Sequence, residues 1–202
     1  DPRRSGVVTM SLRVGVVAFQ GAWKEHVRAL RSCGAEAVPL RQAPAEPLDG
    51  VVLPGGESTV IGRLGESSGL FSWIRRERDR GMPLLGTCAG AILLADRIEG
   101  VPPPGCVGGF PVVAHRNAFG RQKESFEAPL IWRDGSPFPG VFIRAPRFSN
   151  PAPEVEVLAR HGEEAVGLRH GAHFVVAFHP ELTTDRRLHE LFLQACGERW
   201  GR

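Results

Sequence analysis

In GTCAG, Gly86 to Gly90, a single cysteine stands between two glycines where an apolar run gives way to a helical pattern. This is the layout of the G-x-S-x-G nucleophile elbow, strand then sharp turn then helix, with sulfur in place of oxygen. The flanking glycines let backbone pass close to the turn without a Cβ clash, so the Cys88 thiol is held up at the carboxyl end of a sheet. The helix that follows offers free N–H groups and a dipole that favour thiolate over thiol. Such a nucleophile needs a base, and the base needs an orienting partner. AFHPEL, Ala177 to Leu182, offers both. Pro180 biases His179 toward extended backbone, where residues i and i+2 share a side, so Glu181 is expected beside the His179 imidazole. His26 and His189 fall on helical patterns and His115, His161, His170 and His173 in or near β segments; surface or satisfied core roles are expected for them. The turn LPGGEST, Leu53 to Thr59, follows another strand, and its glycine pair exposes backbone N–H groups suited to hold an oxyanion.

Positioning these groups requires alternating strands and helices, and the pattern supplies them. RVGVVAF (13–19) reads as a buried parallel strand and AWKEHVRALRSCG (22–34) as an amphipathic helix closed by Gly34. EAVPL (36–40) and DGVVLPGG (49–56) are strands, 58–66 and 69–80 helices, PLLG (83–86) a strand and AGAILLADRI (89–98) a helix. Beyond Gly105 the texture changes to strands joined by turns, in FPVVAHRNAF, GVFIRAPRF, EVEVLARHG, EAVGLRH and HFVVAFHP, before a closing helix at 184–197. The expected fold is α/β: a three-layer αβα sandwich on a central, mostly parallel sheet, with added β-strands in the C-terminal half.

Composition narrows the class. A chain of 202 residues with 42% hydrophobic content suits one globular domain, here residues 10–202, with Met10 read as the natural start and residues 1–9 as an added or upstream extension. The net charge of +3 is spread without a basic block, which argues against nucleic acid. No apolar run approaches the roughly 20 residues that span a bilayer. Cys33, Cys88, Cys106 and Cys196 form no CxxC pair, which points to a reducing cytoplasm.

GGxS/T, GTCAG and HPE, in this order, resemble the class I glutamine amidotransferases. FQGAWKEH (19–26), LPGGESTVIGRL (53–64), RNAFGRQKESFEA (116–128), VFIRAP (141–146) and FHPELT (178–183) narrow the resemblance to the glutaminase subunits of pyridoxal 5′-phosphate synthases, over nearly all of Leu12 to Ala195. The resemblance implies Cys88 as nucleophile, His179 as acid and base, and Glu181 as its orienting partner. It assigns glutamine binding to Gly55, Gly56, Glu57, Arg116, Ile143 and Arg144, and an oxyanion hole to the N–H groups of Gly56 and Ala89. A guanidinium such as Arg116 or Arg144 suits the two-point contact that an α-carboxylate offers. His115 and Arg147 depart from the family pattern, and Gln20 is expected near a partner interface.

The implied reaction is hydrolysis of L-glutamine through a cysteine thioester, with no metal or organic cofactor required. The implied partner is a (β/α)₈-barrel pyridoxal 5′-phosphate synthase subunit in a large hetero-oligomer, to which ammonia passes. Two other readings stay open from the residues: a glutaminase serving a different synthase, such as imidazole glycerol phosphate synthase, and a binding-only subunit with an inactive site.

Overall fold

The valine-rich run after Leu12 becomes the strand around which the parallel part of the sheet is built. In the computed structural model, which describes residues 11–116 and 125–199, this strand is β1, Arg13–Val17. A helix, α1 (Trp23–Ser32), returns the chain to β2 (Glu36–Leu40) on one side of β1, and β3 (Gly50–Leu53) pairs on the other. Helices α2 (Ser58–Ser67) and α3 (Leu70–Asp79) lead to β4 (Leu84–Thr87), and α4 (Ala89–Leu94) follows the Cys88 turn.

After α4 come β5 (Ala95–Glu99), β6 (Phe110–His115), β7 (Ser125–Trp132), β8 (Pro137–Ile143), β9 (Arg147–Ser149), β10 (Glu156–His161), β11 (Glu164–His170) and β12 (His173–Val176). A 3₁₀ turn, Pro180–Leu182, precedes α5 (Arg187–Glu198). Among the described residues the main sheet has nine strands, in the order β2-β1-β3-β4-β12-β11-β10-β7-β8. From β2 to β12 the pairing is parallel, and from β12 to β8 it is antiparallel. Strands β5, β6 and β9 form a separate three-stranded sheet.

Alternation along the parallel strands divides the core in two. Val14, Val16, Val52, Leu85, Phe174 and Val176 face α1 and α5, whereas Val17, Val51, Leu53, Leu84 and Val175 face α2, α3 and α4. The expected layers are therefore present.

Two elements differ from the sequence reading. The helix expected over 89–98 ends at Leu94, and Ala95–Glu99 is the strand β5. The cause is remote: the N–H groups of Val107 and Gly108 both donate to the Leu93 carbonyl at 2.9 Å, taking an acceptor that a longer helix would use itself. Strand β7 was not anticipated, because Pro129 interrupts its pattern; the proline is tolerated opposite Pro139 of β8, beyond the short stretch where β7 pairs with β10. The proposed extension at residues 1–9 lies outside the described residues.

The strand-to-helix turn depends on bare backbone. A Cβ on Gly86 would fall 2.5 Å from the Gly90 carbonyl oxygen, and one on Gly90 would overlap the Leu53 carbonyl oxygen of β3. Neither obstacle is a flexible side chain. We expect Gly90→Ala to destabilise the protein by about 3 kcal/mol, the upper end of the usual cost of overpacking a core. For a domain of this size that lowers Tm by roughly 6–12 °C, and thermal unfolding followed by circular dichroism measures it.

Candidate active site

Cys88 follows β4 directly, and its backbone is left-handed at φ 52°, a strained conformation for a residue with a side chain. The strain is held from both sides. The Cys88 N–H donates to the Val176 carbonyl of β12 at 2.8 Å, and the Cys88 carbonyl accepts from the Ala91 and Ile92 N–H groups that open α4. Ala89, at the first helical position, has no carbonyl behind it in the helix to take its N–H. The elbow inferred from GTCAG is present.

His179 reaches the same place from the neighbouring strand. The chain leaves β12, and the His179 N–H is fixed on the Val141 carbonyl of β8 at 2.8 Å. Its Nδ1 lies 3.1 Å from Glu181 Oε2, as the spacing implied. The reason differs from the one inferred: Pro180 opens a 3₁₀ turn, and that turn, rather than a continuing extended strand, brings Glu181 back beside the ring. A Cβ at Gly55 would overlap His179 Cε1 and come within 3.2 Å of Cys88 Cβ, so His179 and Cys88 flank one point of the Gly-Gly turn. His179 Nε2 is buried without a hydrogen-bond partner, and the thiol itself points at the Ile143 carbonyl, 3.4 Å away.

The electrostatics suit proton transfer. Burial alone would lower the pKa of His179, yet the Cys88 sulfur and the Glu181 carboxylate outweigh it and push the pKa up to about 10. Burial raises the pKa of Glu181, and the ring beside it works in the opposite sense. Burial also raises the pKa of the Cys33, Cys106 and Cys196 thiols, moving them away from the reactive thiolate form.

A cavity of about 170 Å³ opens at the thiol, lined by Gly56, Glu57, Ser58, Cys88, Ala89, Ile92, Arg116 and Arg144. It is smaller than the roughly 300–1,000 Å³ of drug-sized pockets. Arg116 is held by the Val101 carbonyl at 2.7 Å and by Ser58 Oγ and Thr59 Oγ1 at 3.0 and 3.1 Å; Arg144 sits on left-handed backbone at φ 47°. Of the substrate residues inferred from sequence, Gly56, Glu57, Arg116 and Arg144 line the cavity, Gly55 packs behind it, and Ile143 contributes its carbonyl to the thiol. The rest of RNAFGRQ, beyond Arg116, lies outside the described residues.

The Gly-Gly turn is tied to the loop after β1. The Gly55 carbonyl accepts from the Ala22 N–H at 3.0 Å, and the Glu57 N–H donates to Gln20 Oε1 at 2.7 Å. Rotation of the Gly55–Gly56 peptide therefore breaks a hydrogen bond. Among the departures from the family pattern, His115 lies 2.5 Å from both Glu99 Oε2 and Ser149 Oγ, and Arg147 grips Glu164 at 2.7 and 3.2 Å. His115 ties the three strands of the small sheet to one another, and Arg147 anchors that sheet to β11 of the main sheet.

His26 and His189, for which surface or satisfied core roles were expected, are buried together with Thr87 behind Glu181; no sequence pattern signalled this grouping or Thr87. His26 was visible in FQGAWKEH, but its neighbours come from distant segments.

Against known proteins, residues 16–198 match the model of the SNO glutamine amidotransferase family. The pyridoxal 5′-phosphate synthase subunit PdxT of Acidothermus cellulolyticus is 47% identical over 190 residues, covering 90% of this chain and 92% of that protein. PdxT of a Parafrankia species is 50% identical over 186 residues, with coverage of 90% and 92%. A solved structure described as a glutamine amidotransferase superposes with a TM-score of 0.86 at 46% identity, covering 91% of this chain and 98% of the other.

The raised pKa of His179 has a direction in pH. A group whose pKa rises on folding stabilises the fold fully below its ordinary value of 6.5 and loses that contribution as pH rises through about 10. Denaturant unfolding of the wild type and of His179→Asn from pH 6 to 11 should give a stability gap that narrows over this interval; a gap independent of pH would contradict the assignment.

Proposed function

The chain belongs to the SNO glutamine amidotransferase family, and on that premise we propose that Cys88, His179 and Glu181 carry its chemistry as nucleophile, general acid–base and orienting carboxylate. The protein is the glutaminase subunit of a pyridoxal 5′-phosphate synthase, releasing ammonia from L-glutamine for a synthase subunit. The observation that carries the site assignment is the strained Cys88 turn facing the buried His179–Glu181 pair across the Gly55 backbone.

Glutamine enters the cavity with its α-carboxylate toward Arg116 and Arg144 and its side-chain amide at Cys88. The thiolate adds to the amide carbon, and the oxyanion accepts from the N–H groups of Gly56 and Ala89, each of which contributes roughly 10²–10³ in rate. His179 protonates the departing nitrogen, the C–N bond breaks, and ammonia leaves a γ-glutamyl thioester on Cys88. Water, deprotonated by His179, then attacks the thioester; the C–S bond breaks, glutamate is released and the Cys88 thiolate is regenerated. Glu181 keeps the proton of His179 on Nδ1, so that Nε2 performs both transfers.

We take the partner to be a (β/α)₈ barrel in a large hetero-oligomer, as the likeness of FIRAP and RNAFGRQ to the glutaminase subunits of these synthases implies. The run from Met10 onward reads as one glutaminase domain, supported by a sheet whose strands come from both halves of the chain. A cytoplasmic setting fits its four free cysteines.

Cys88→Ala should abolish glutamate release while leaving the fold and the binding of the synthase subunit intact; substantial turnover by the folded variant would sink the triad. Wild-type glutaminase activity should be low alone and rise by roughly tenfold or more, mainly in kcat, when the synthase is added, because docking near Gln20 selects the productive Gly55–Gly56 peptide. Equal rates with and without the synthase would rule out this switching while leaving the triad standing.

A further inference from the structure

Glu181 has no exposed side-chain surface, yet its hydrogen bond to His179 uses one oxygen. The other, Oε1, has no ordinary hydrogen bond and lies 3.5 Å from Nε2 of His26 on α1. That ring is fully buried. Its Nε2 is also 3.0 Å from Thr87 Oγ1 on β4, and its Nδ1 is 2.9 Å from Nε2 of His189 on α5. His189 is itself fully buried, and its Nδ1 has no partner.

Proton counting selects one arrangement of this cluster. Burial, followed by the neighbouring His189, His179 and Arg186, holds the pKa of His26 well below its ordinary value; burial and Arg186 hold that of His189 near 3. Both rings are therefore neutral, each with one N–H. If His26 carried its proton on Nδ1, it would turn a lone pair toward the Glu181 carboxylate and leave His189 with an unpaired buried N–H. If it carries the proton on Nε2, its N–H faces Glu181 and Thr87, its Nδ1 accepts from His189, and the bare atom is a lone pair rather than a donor. The second arrangement satisfies more groups and removes the repulsion. Glu25 is the remaining charged group bearing on Glu181, and it opposes ionisation.

We propose that His26 is a positioning residue for the glutaminase reaction: its Nε2–H, fixed in that tautomer by His189, holds the carboxylate of Glu181 so that Glu181 holds the proton of His179 on Nδ1. The proposal rests on the triad assignment. His26 touches no reacting atom. Its effect passes through Glu181 and is confined to the state and angle of His179. Among the described residues no group of His, Cys, Asp or Glu has the arrangement to hold a metal ion.

The first test uses the wild-type protein. Nitrogen-15 NMR of its histidine rings should show His26 neutral with the proton on Nε2 from pH 5 to 9, and His189 donating from Nε2. A charged His26, or a proton on Nδ1, overturns the proposal whatever the activity. The second test is kinetic, with the synthase subunit present. His26→Leu should lower kcat by roughly tenfold or more, a part of the 10²–10⁴ that a positioned acid–base group contributes, with KM little changed. His26→Gln, which keeps a donor, should recover most of the loss. In a Glu181→Gln background, His26→Leu should add little further loss. Additive losses, or equal losses for Leu and Gln, would mean that His26 supports only the packing of α1. Because the NMR readout needs no turnover, failure of the triad, seen as an active Cys88→Ala protein, is distinguishable from failure of the relay.

Discussion

Burying a carboxylate where water cannot reach it is the constraint that organises this active site. Unpaired, the Glu181 charge would cost several kcal/mol, and the group would take up a proton instead. Kept ionised, it must be met by donors from other segments, and the fold brings them: His179 from the end of β12, and His26 from α1 across the face where α1 and α5 pack. The requirement runs outward to Thr87 and His189. A hydrophobic replacement of this cluster would be simpler to pack, but it would leave His179 with no group to choose its tautomer.

The nucleophile is subject to a different constraint, that of backbone contact. The Cys88 turn stands so close to the end of β3 that the Leu53 carbonyl occupies the space of a Gly90 side chain. This proximity puts the loops after β3 and β4 side by side. The Gly55–Gly56 turn proposed to hold the oxyanion, the Cys88 thiol and the first N–H of α4 then lie together at the carboxyl end of the parallel strands, with His179 arriving after β12 at the adjacent position. Preorganisation follows from strand order: β3, β4 and β12 are consecutive neighbours in the sheet although 120 residues separate Leu53 from His173.

What could be read in the sequence is what short spacing determines. GTCAG, HPE and LPGGEST each encode a local device within seven residues, and the parallel strands announce themselves as short apolar runs between helical periods. The remainder depended on remote partners. The end of α4 is set by N–H groups of Val107 and Gly108, and β7 runs through a proline whose missing donor matters little at its place in the ladder. The His26–His189 contact joins positions 163 residues apart, and each histidine seen alone on an amphipathic helix looks like a core residue. Only the packing of α1 against α5 turns two separate core histidines into a polar cluster behind the carboxylate.

These ties also suggest how the site can rest when it is not needed. The thiol lies 3.4 Å from the Ile143 carbonyl, while the Cys88 sulfur also bears directly on His179 and, against the effect of burial, raises its pKa. The Gly55 carbonyl is held by Ala22, and the N–H of Glu57 by Gln20, both in the loop that follows β1. Gly21 at the tip of that loop is exposed, and its Cα lies so near Gly55 that a side chain there would overlap the Gly55 carbonyl. In the proposed docking, pressure on this loop passes to the Gly55–Gly56 turn through the Ala22–Gly55 backbone hydrogen bond and through the Gln20 side chain. Under the proposed switching, such a glutaminase couples ammonia release to its acceptor through the Gly55–Gly56 peptide, because the loop after β1, where docking is proposed, and this turn are in direct backbone contact.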